Sequence, residues 1–251
     1  MLSKKIVKYI QSLSHKKLRD HEQAFIAEGP KVVGEFLSVE KFNCKILCAA
    51  RDWLTANPNL LRNISAENIY EVDEISLQKV SLLKTPNKVV AVFEKNRRDK
   101  EPLLLKNKLS LMLDDIQDPG NMGTIIRIAD WFGIENIICS ENCVECYNPK
   151  VVQATMGSLV RVNVQYTPLI NFIDTHENIS VYAASLSGIS LTEFNKINEG
   201  IVLIGNESKG INEELLKKAI QKITIPKYGN AESLNAAVAT GIILSHVTIQ
   251  K

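Results

Sequence analysis

The sequence predicts a two-domain α/β protein whose C-terminal part is a mainly parallel sheet covered on both faces. Two observations carry that expectation. From residue 109 onward, short apolar runs at 109–115, 136–140, 160–166, 181–185, 201–205 and 223–226 alternate with amphipathic stretches of helix length, the pattern of parallel strands joined by crossover helices. Upstream, strand-like runs at 25–29, 45–49, 68–72 and 88–93 make a smaller alternation, and the hydrophilic stretch KNRRDKEPLLLKNK separates the two regions. The expected division is an N-terminal domain over 1–95, a linker over 96–107 and a C-terminal domain over 108–251. A chain of 251 residues is long enough to bury roughly 70–75% of its unfolded surface.

Within the first domain, Pro30 opens a helix and Asp73 caps another. The net charge of +2 decides nothing about partners, but its distribution is uneven. Lys4, Lys5, Lys16, Lys17 and Arg19 crowd the N-terminus, and Lys95, Arg97, Arg98, Lys100, Lys106 and Lys108 crowd the linker. Either group is a candidate phosphate-binding surface or simply a solvated face. Hydrophobic residues at 45% and charged residues at 23% are ordinary for a globular protein. No apolar signal core is visible near Met1, and the longest near-apolar run, 236–247, is shorter than the ~20 residues of a membrane span, so a cytoplasmic protein without a membrane partner is expected.

Three strand–turn–helix stretches of the second domain carry the chemistry. In LSLMLDDIQDPGNMGTIIRIADWFGI, a strand runs into Asp114 and Asp115, a turn follows, and a helix is expected to start near Asn121 as its N-cap. Ile125, Ile126, Ala129 and Phe132 give that helix a buried stripe, while Thr124, Arg127 and Trp131 fall on another face. In GIVLIGNESKGINEELLKKA, Glu207 follows the carboxyl end of a strand, where open α/β sheets place ligands, and Asn212 caps the next helix. In ITIPKYGNAESLNAAVATGIILSHVTIQK, a short strand ends at Pro226, and Ser233 stands as the expected N-cap of a helix from Leu234, beside Asn235.

With these stretches in view, the chain resembles the SpoU (TrmH) family of RNA ribose 2′-O-methyltransferases, within the SPOUT superfamily. The family pattern NxGxxxR is met by Asn121, Gly123 and Arg127; Gly-x-Glu with a following glycine is met by Gly205, Glu207 and Gly210; and IP, a loop glycine and SLN are met by Ile225, Pro226, Gly229, Ser233, Leu234 and Asn235. The chain departs from the family at Lys227, Ala236 and Ala237. The stretch 15–33, HKKLRDHEQAFIAEGPKVV, resembles a substrate-binding domain similar to RNA-binding ribosomal proteins.

The resemblance implies a C-terminal SPOUT-type sheet with a trefoil knot, a homodimer, and transfer of a methyl group from S-adenosyl-L-methionine (AdoMet) to a ribose 2′-hydroxyl of structured RNA, ribosomal 23S RNA ahead of transfer RNA. Gly205, Ile225, Leu234 and Asn235 are the implied cofactor-binding residues; Arg127, Asn121, Glu207, Ser233 and Asn235 the implied catalytic set; Lys16, Lys17 and Arg19 the implied RNA contacts. No metal is required, because the leaving group departs as a neutral thioether. No GxGxxG or GxxxxGK occurs, so neither a Rossmann phosphate turn nor a P-loop is present.

Two rival readings remain. A non-catalytic RNA-binding module would not need the Asn121, Arg127, Glu207 and Asn235 set. A radical AdoMet enzyme would use the CxxxCxxC spacing of Cys139, Cys143 and Cys146 to hold an iron–sulfur cluster. Against the cluster, the motif lies in the middle of the chain with no repeated strand–helix pattern upstream sufficient to begin a radical-enzyme barrel, and Asn148 and Pro149 directly follow as a helix cap and first position; Cys44 and Cys48, separately, read as small core residues.

Overall fold

A computed structural model describes residues 2–96 and 103–249 of the chain. Arg97, Arg98 and Lys100, candidate phosphate contacts of the linker, lie outside the described residues. The chain forms two compact units, and they do not divide it at a single point. One holds the residues up to 96 together with Glu145–Val160; the other holds residues 103–144 and 161–249.

The first unit opens with α1 (Lys4–Ser12) and α2 (Lys16–Glu22), then β1 (Ala24–Glu28), α3 (Pro30–Leu37), β2 (Cys44–Ala49), α4 (Arg51–Ala56), β3 (Ile69–Glu71), α5 (Glu74–Val80) and β4 (Val89–Glu94). The sheet order is β1-β4-β2-β3, with β4 antiparallel to both neighbours and β2 parallel to β3. Strand β1 is buried along its whole length because both faces are covered. One side packs Ala24 and Ile26 with Ile10, Leu13, Leu77 and Val80. The other carries Phe25, whose ring lies 5.2 Å from Phe36 and 4.6 Å from Tyr147, an aromatic supplied by the later segment. That segment folds as α7 (Pro149–Ala154), with Asn148 accepting from the Lys150 amide and Pro149 at the first position, and it buries Val151 and Val152.

The second unit contains β5 (Leu109–Leu113), α6 (Pro119–Trp131), β6 (Asn136–Cys139), β7 (Asn163–Tyr166), α8 (Leu169–Thr175), β8 (Val181–Ser190), β9 (Gly200–Ile204), α9 (Glu213–Lys218), β10 (Gln221–Thr224) and α10 (Ala236–Ile249). Its six strands lie in the order β10-β8-β9-β5-β6-β7, and every pairing is parallel. Met112, Ile138, Ala183 and Leu203 of the central strands face Leu169, Phe172 and Leu215 of α8 and α9. On the other face α6 and α10 pack against each other, with Ile125, Ile126 and Ala129 fully buried.

Three local expectations are corrected. Helix α6 starts earlier than Asn121, because Asp118 accepts from the Asn121 amide at 2.8 Å and Pro119 takes the first helical position. Helix α10 starts at Ala236, and its cap is Asn235, whose Oδ1 accepts from the Ala237 and Val238 amides at 3.0 and 3.3 Å; Ser233 is exposed and outside the helix. Strand β10 spans Gln221–Thr224 and stops before Ile225 and Pro226, since a proline nitrogen offers no ladder donor.

Candidate active site

Strands β5 and β9 are neighbours, so the loops that leave their carboxyl ends lie side by side. The β9 loop is a closed turn: Asn206 and Gly210 exchange backbone hydrogen bonds at 3.1 and 2.9 Å, and Asn206 Oδ1 accepts from the Ser208 and Lys209 amides. Gly205 is required for that closure, because a Cβ there would meet the Gly210 carbonyl carbon at 2.5 Å. Gly210 itself has φ +71, a conformation that disfavours a side chain. The turn is tied to the β5 loop by Asn206 Nδ2 donating to the Asp115 carbonyl at 2.8 Å and by Lys209 pairing with the Asp115 carboxylate at 2.9 Å. Asp114 accepts from the Asn212 amide at 2.8 Å, and burial pushes its carboxyl above the usual range.

These anchors bring three residues together. Asn121 Nδ2 donates to Glu207 Oε1, and Asn121 Oδ1 accepts from Asn235 Nδ2 at 2.8 Å. One amide thus joins the loops after β5, β9 and β10. Strand β10 lies at the sheet edge, beyond β8, so the stretch 225–235 must travel back across the sheet to make this contact. Asn235 does two things at once, capping α10 with its oxygen and holding Asn121 with its nitrogen.

Arg127 is exposed on the same face of α6 as Thr124 and Trp131, and among the described residues no ion pair or hydrogen bond engages its guanidinium. Around the site the β10 loop is open: Tyr228 is 97% exposed and Leu234 44% exposed, while Ile225 is half-buried. Ser233 is exposed, and among the described residues no hydrogen bond joins it to the Asn121 group. In the first unit, Lys16 and Lys17 are exposed on α2, but Arg19 is not a surface cation. It is 2% exposed, donates to the Leu13 and Ser14 carbonyls at 2.9 and 2.8 Å, and pairs with Glu145 at 2.7 Å. That is a correction to its reading as an RNA contact, because every face of the fork already has a partner.

All five cysteines are buried and stand outside any disulfide. Cys139 and Cys143 fall in the second unit and Cys146 in the first, and among the described residues no group of three or more His, Cys, Asp or Glu is arranged to hold a metal ion. Cys143 instead accepts from the Ile116 amide at 3.2 Å and donates to the Leu113 carbonyl at 3.3 Å, and hydrogen bonds led by that from Cys139 hold its thiol below the usual range. Cys44 and Cys48 are core residues whose thiols burial pushes up to about 12. No described helix is long and apolar enough to cross a membrane.

Comparison with known proteins gives the chain's family. Residues 108–245 match the SpoU rRNA Methylase family. The chain belongs to that family. Residues 4–91 of this SpoU chain match the MRM3-like substrate binding domain. The chain is 30% identical to RlmP of Bacillus subtilis, a 23S rRNA (guanosine(2553)-2′-O)-methyltransferase, over 96% of this chain and 95% of that one. Among solved structures it superposes with a TrmH family protein from Porphyromonas gingivalis, 36% identical, with a TM-score of 0.85 over 98% of both chains. An AdoMet-bound rRNA methyltransferase from Sinorhizobium meliloti is 31% identical, with a TM-score of 0.86 over 98% of this chain and 95% of that one.

Of the candidate site residues read from the sequence, the structure brings Asn121, Glu207 and Asn235 together; Asn206 and Asp115, which build the turn beside them, were not among those candidates. A local signal was available for Asn206: asparagine two and three residues before amides it can bond, with a glycine closing the loop, is an Asx turn.

Proposed function

We propose that this SpoU chain uses AdoMet to methylate a ribose 2′-hydroxyl of 23S ribosomal RNA. The observation that carries the reading is the bridging amide of Asn121, which gathers Glu207 and Asn235 from loops far apart in sequence at the carboxyl ends of a parallel sheet. The choice of ribosomal over transfer RNA is supported by the relative from Bacillus subtilis.

The residues present suit the cofactor. Gly205 lets the β9 loop close on Gly210 at the carboxyl end of the sheet, and the exposed Tyr228 and Leu234 with the half-buried Ile225 offer apolar surface in an open loop beside it. Gly205, Ile225, Leu234 and Asn235 are the proposed cofactor contacts, in a loop region that belongs to the trefoil knot this reading entails. When bound, AdoMet supplies an electrophilic methyl on a sulfonium for in-line displacement.

The remaining work belongs to the chain: aiming the hydroxyl, accepting its proton and excluding water. Arg127 is the proposed ligand of the target phosphate, where its positive charge lowers the effective pKa of the adjacent hydroxyl. A guanidinium hardly ever releases its proton in a protein, so it is poorly suited to accept the hydroxyl's proton itself. Glu207, fixed by Asn121, is a carboxylate at the site, and Ser233 supplies a hydroxyl on the open loop. Lys16 and Lys17 are the proposed RNA contacts of a substrate-binding domain over 1–95, joined by 96–107 to a catalytic domain over 108–251.

The test is methyl transfer to unmodified 23S rRNA and to bulk unmodified tRNA, each transcribed in vitro, with mapping of 2′-O-methyl positions. A single modified nucleotide in 23S rRNA is expected. Modification of tRNA alone overturns the substrate; tight RNA binding with neither AdoMet binding nor transfer to either RNA favours the non-catalytic module.

A further inference from the structure

Glu207 sits inside a ring closed by the side chain of the residue before it. Asn206 Oδ1 accepts from the Ser208 amide at 2.9 Å and from the Lys209 amide at 3.1 Å, so the backbone of Glu207 lies between two fixed points. The Asn206 backbone closes the same turn on Gly210. From that ring the Glu207 carboxylate accepts directly from the Asn121 side-chain nitrogen. The oxygen of Asn206 therefore decides where the Glu207 side chain starts from.

The nitrogen of the same amide ties the ring to the neighbouring loop. The bonds between β5 and β9 run as far as the Asp114 amide on the Ile204 carbonyl at 2.9 Å; beyond that point Asn206 turns its backbone to Gly210, and its Nδ2 donates to the Asp115 carbonyl at 2.8 Å. That carbonyl is itself held still. Asp115 is left-handed at φ +56, uncommon for a residue with a side chain, and its amide donates to Ser140 Oγ at 2.9 Å while its carboxylate accepts from Gln117 at 2.7 Å and from Lys209 at 2.9 Å. Of the two ties between Asp115 and the turn, the Lys209 pair is the weaker, because the lysine side chain is 71% exposed and a pair in water holds little. Asp114 takes the Asn212 amide, past the closed turn.

We propose that Asn206 is a positioning residue for methyl transfer: its oxygen shapes the turn that bears Glu207, and its nitrogen sets that turn against the β5 loop in the register at which Glu207 meets the Asn121 side chain. The inference rests on the methyl-transfer reading of the second unit. The two halves of the amide can be separated by substitution. Asn206→Asp keeps an oxygen for the Ser208 and Lys209 amides but sets a second oxygen, with no proton to donate, against the Asp115 carbonyl. Asn206→Ser keeps a turn-forming oxygen and is too short to reach Asp115. Misplacement of reacting groups by about 1 Å costs a rate factor on the order of a hundred, so a small slip between the loops is visible in turnover.

The experiment compares the full chain with its Asn206→Asp and Asn206→Ser variants in two measurements. One is the magnetic resonance signal of the Asn121 side-chain amide in protein made with isotope-labelled asparagine, identified by its loss in Asn121→Ala. The other is single-turnover methyl transfer to unmodified 23S rRNA transcript with AdoMet and RNA both saturating. Both variants are expected to keep the signals of the other asparagines in place, to shift that of Asn121 and speed the exchange of its protons with water at least tenfold, and to transfer methyl at least tenfold more slowly. A wild-type rate, or an Asn121 signal that stays where it was, overturns the inference. Displacement of the asparagine signals throughout both variants overturns it too, since the residue is then needed for folding alone. Wild-type protein that methylates no RNA overturns the function on its own account, while the Asn121 signal in the variants still decides whether Asn206 sets the meeting of Glu207 with Asn121.

Discussion

The side-chain amide of Asn121 offers a donor and an acceptor, and both are engaged inside the protein, by Glu207 and Asn235. Its orientation is therefore fixed before any ligand arrives. Arg127, two helical turns along α6, is the opposite case, an exposed guanidinium with nothing to hold it among the described residues. The two substitutions should separate cleanly. Arg127→Ala is expected to abolish methyl transfer while AdoMet affinity changes less than about threefold, because the removed charge acts on RNA. Asn121→Ala leaves Glu207 without its donor and Asn235 without its acceptor, so both side chains are free to reorient toward water, and transfer and AdoMet binding should both fall. Calorimetric titration with AdoMet decides: loss of affinity in Arg127→Ala would remove that residue from the RNA side of the site. At this scale the residue types were legible from sequence, since Asn121, Glu207 and Asn235 stand in recognisable patterns. Arg19 was not, because a cation in a basic run looks the same whether its partner is a phosphate or, as here, a carboxylate over a hundred positions away.

Elements fail or succeed by their ends. The caps Asp73, Asn148 and Asn212 were readable because each bonds an amide two or three residues ahead, a purely local event. Asn121 and Ser233 were misread as caps for the complementary reason: Asp118 and Asn235 compete for the same helix starts, and the choice depends on where each loop must go to meet the others. A different end carries a pH dependence. Glu28, at the end of β1, is 5% exposed and accepts from the Leu82 amide at 2.8 Å and from Ser81, so it ties the end of α5 to the sheet. Burial raises its carboxyl above the ordinary 4.5, and the hydrogen bonds only partly oppose that. A raised folded-state pKa means the contribution is most favourable when protonated, below 4.5, and is lost as pH rises through the folded value. Glu28→Gln, which keeps an acceptor without the charge, should match wild type in urea denaturation near pH 4 and gain stability relative to it at pH 7.5. Equal midpoint differences at both pH values would show that the carboxyl is not desolvated as the structure implies.

At the scale of the whole molecule, the alternation of apolar runs was enough to read a mainly parallel sheet in the second unit, but not that Glu145–Val160 would leave it to complete the core of the first. No local pattern announces that a Tyr147 ring will stack on Phe25. The remaining question of scale is assembly, and α10 bears on it. A helix whose composition is apolar all round belongs inside a core, yet Val238, Ile242 and Ile249 are 50%, 38% and 63% exposed, at spacings that place them on one side. Trp131, 84% exposed, lies on α6, the helix packed against α10. A second copy of this chain, presenting the same two helices through a two-fold axis, would cover its own counterpart stripe without requiring any further surface. The expected state is therefore a homodimer at micromolar concentration, and Ile242→Glu, which sets a charge against its symmetry mate, should shift it to monomer without lowering the melting temperature of the monomer fold. Light scattering at several concentrations measures this directly. A wild-type protein that stays monomeric at micromolar concentration would mean that the stripe is covered by RNA or left to solvent; a variant that remains dimeric would move the interface away from α10.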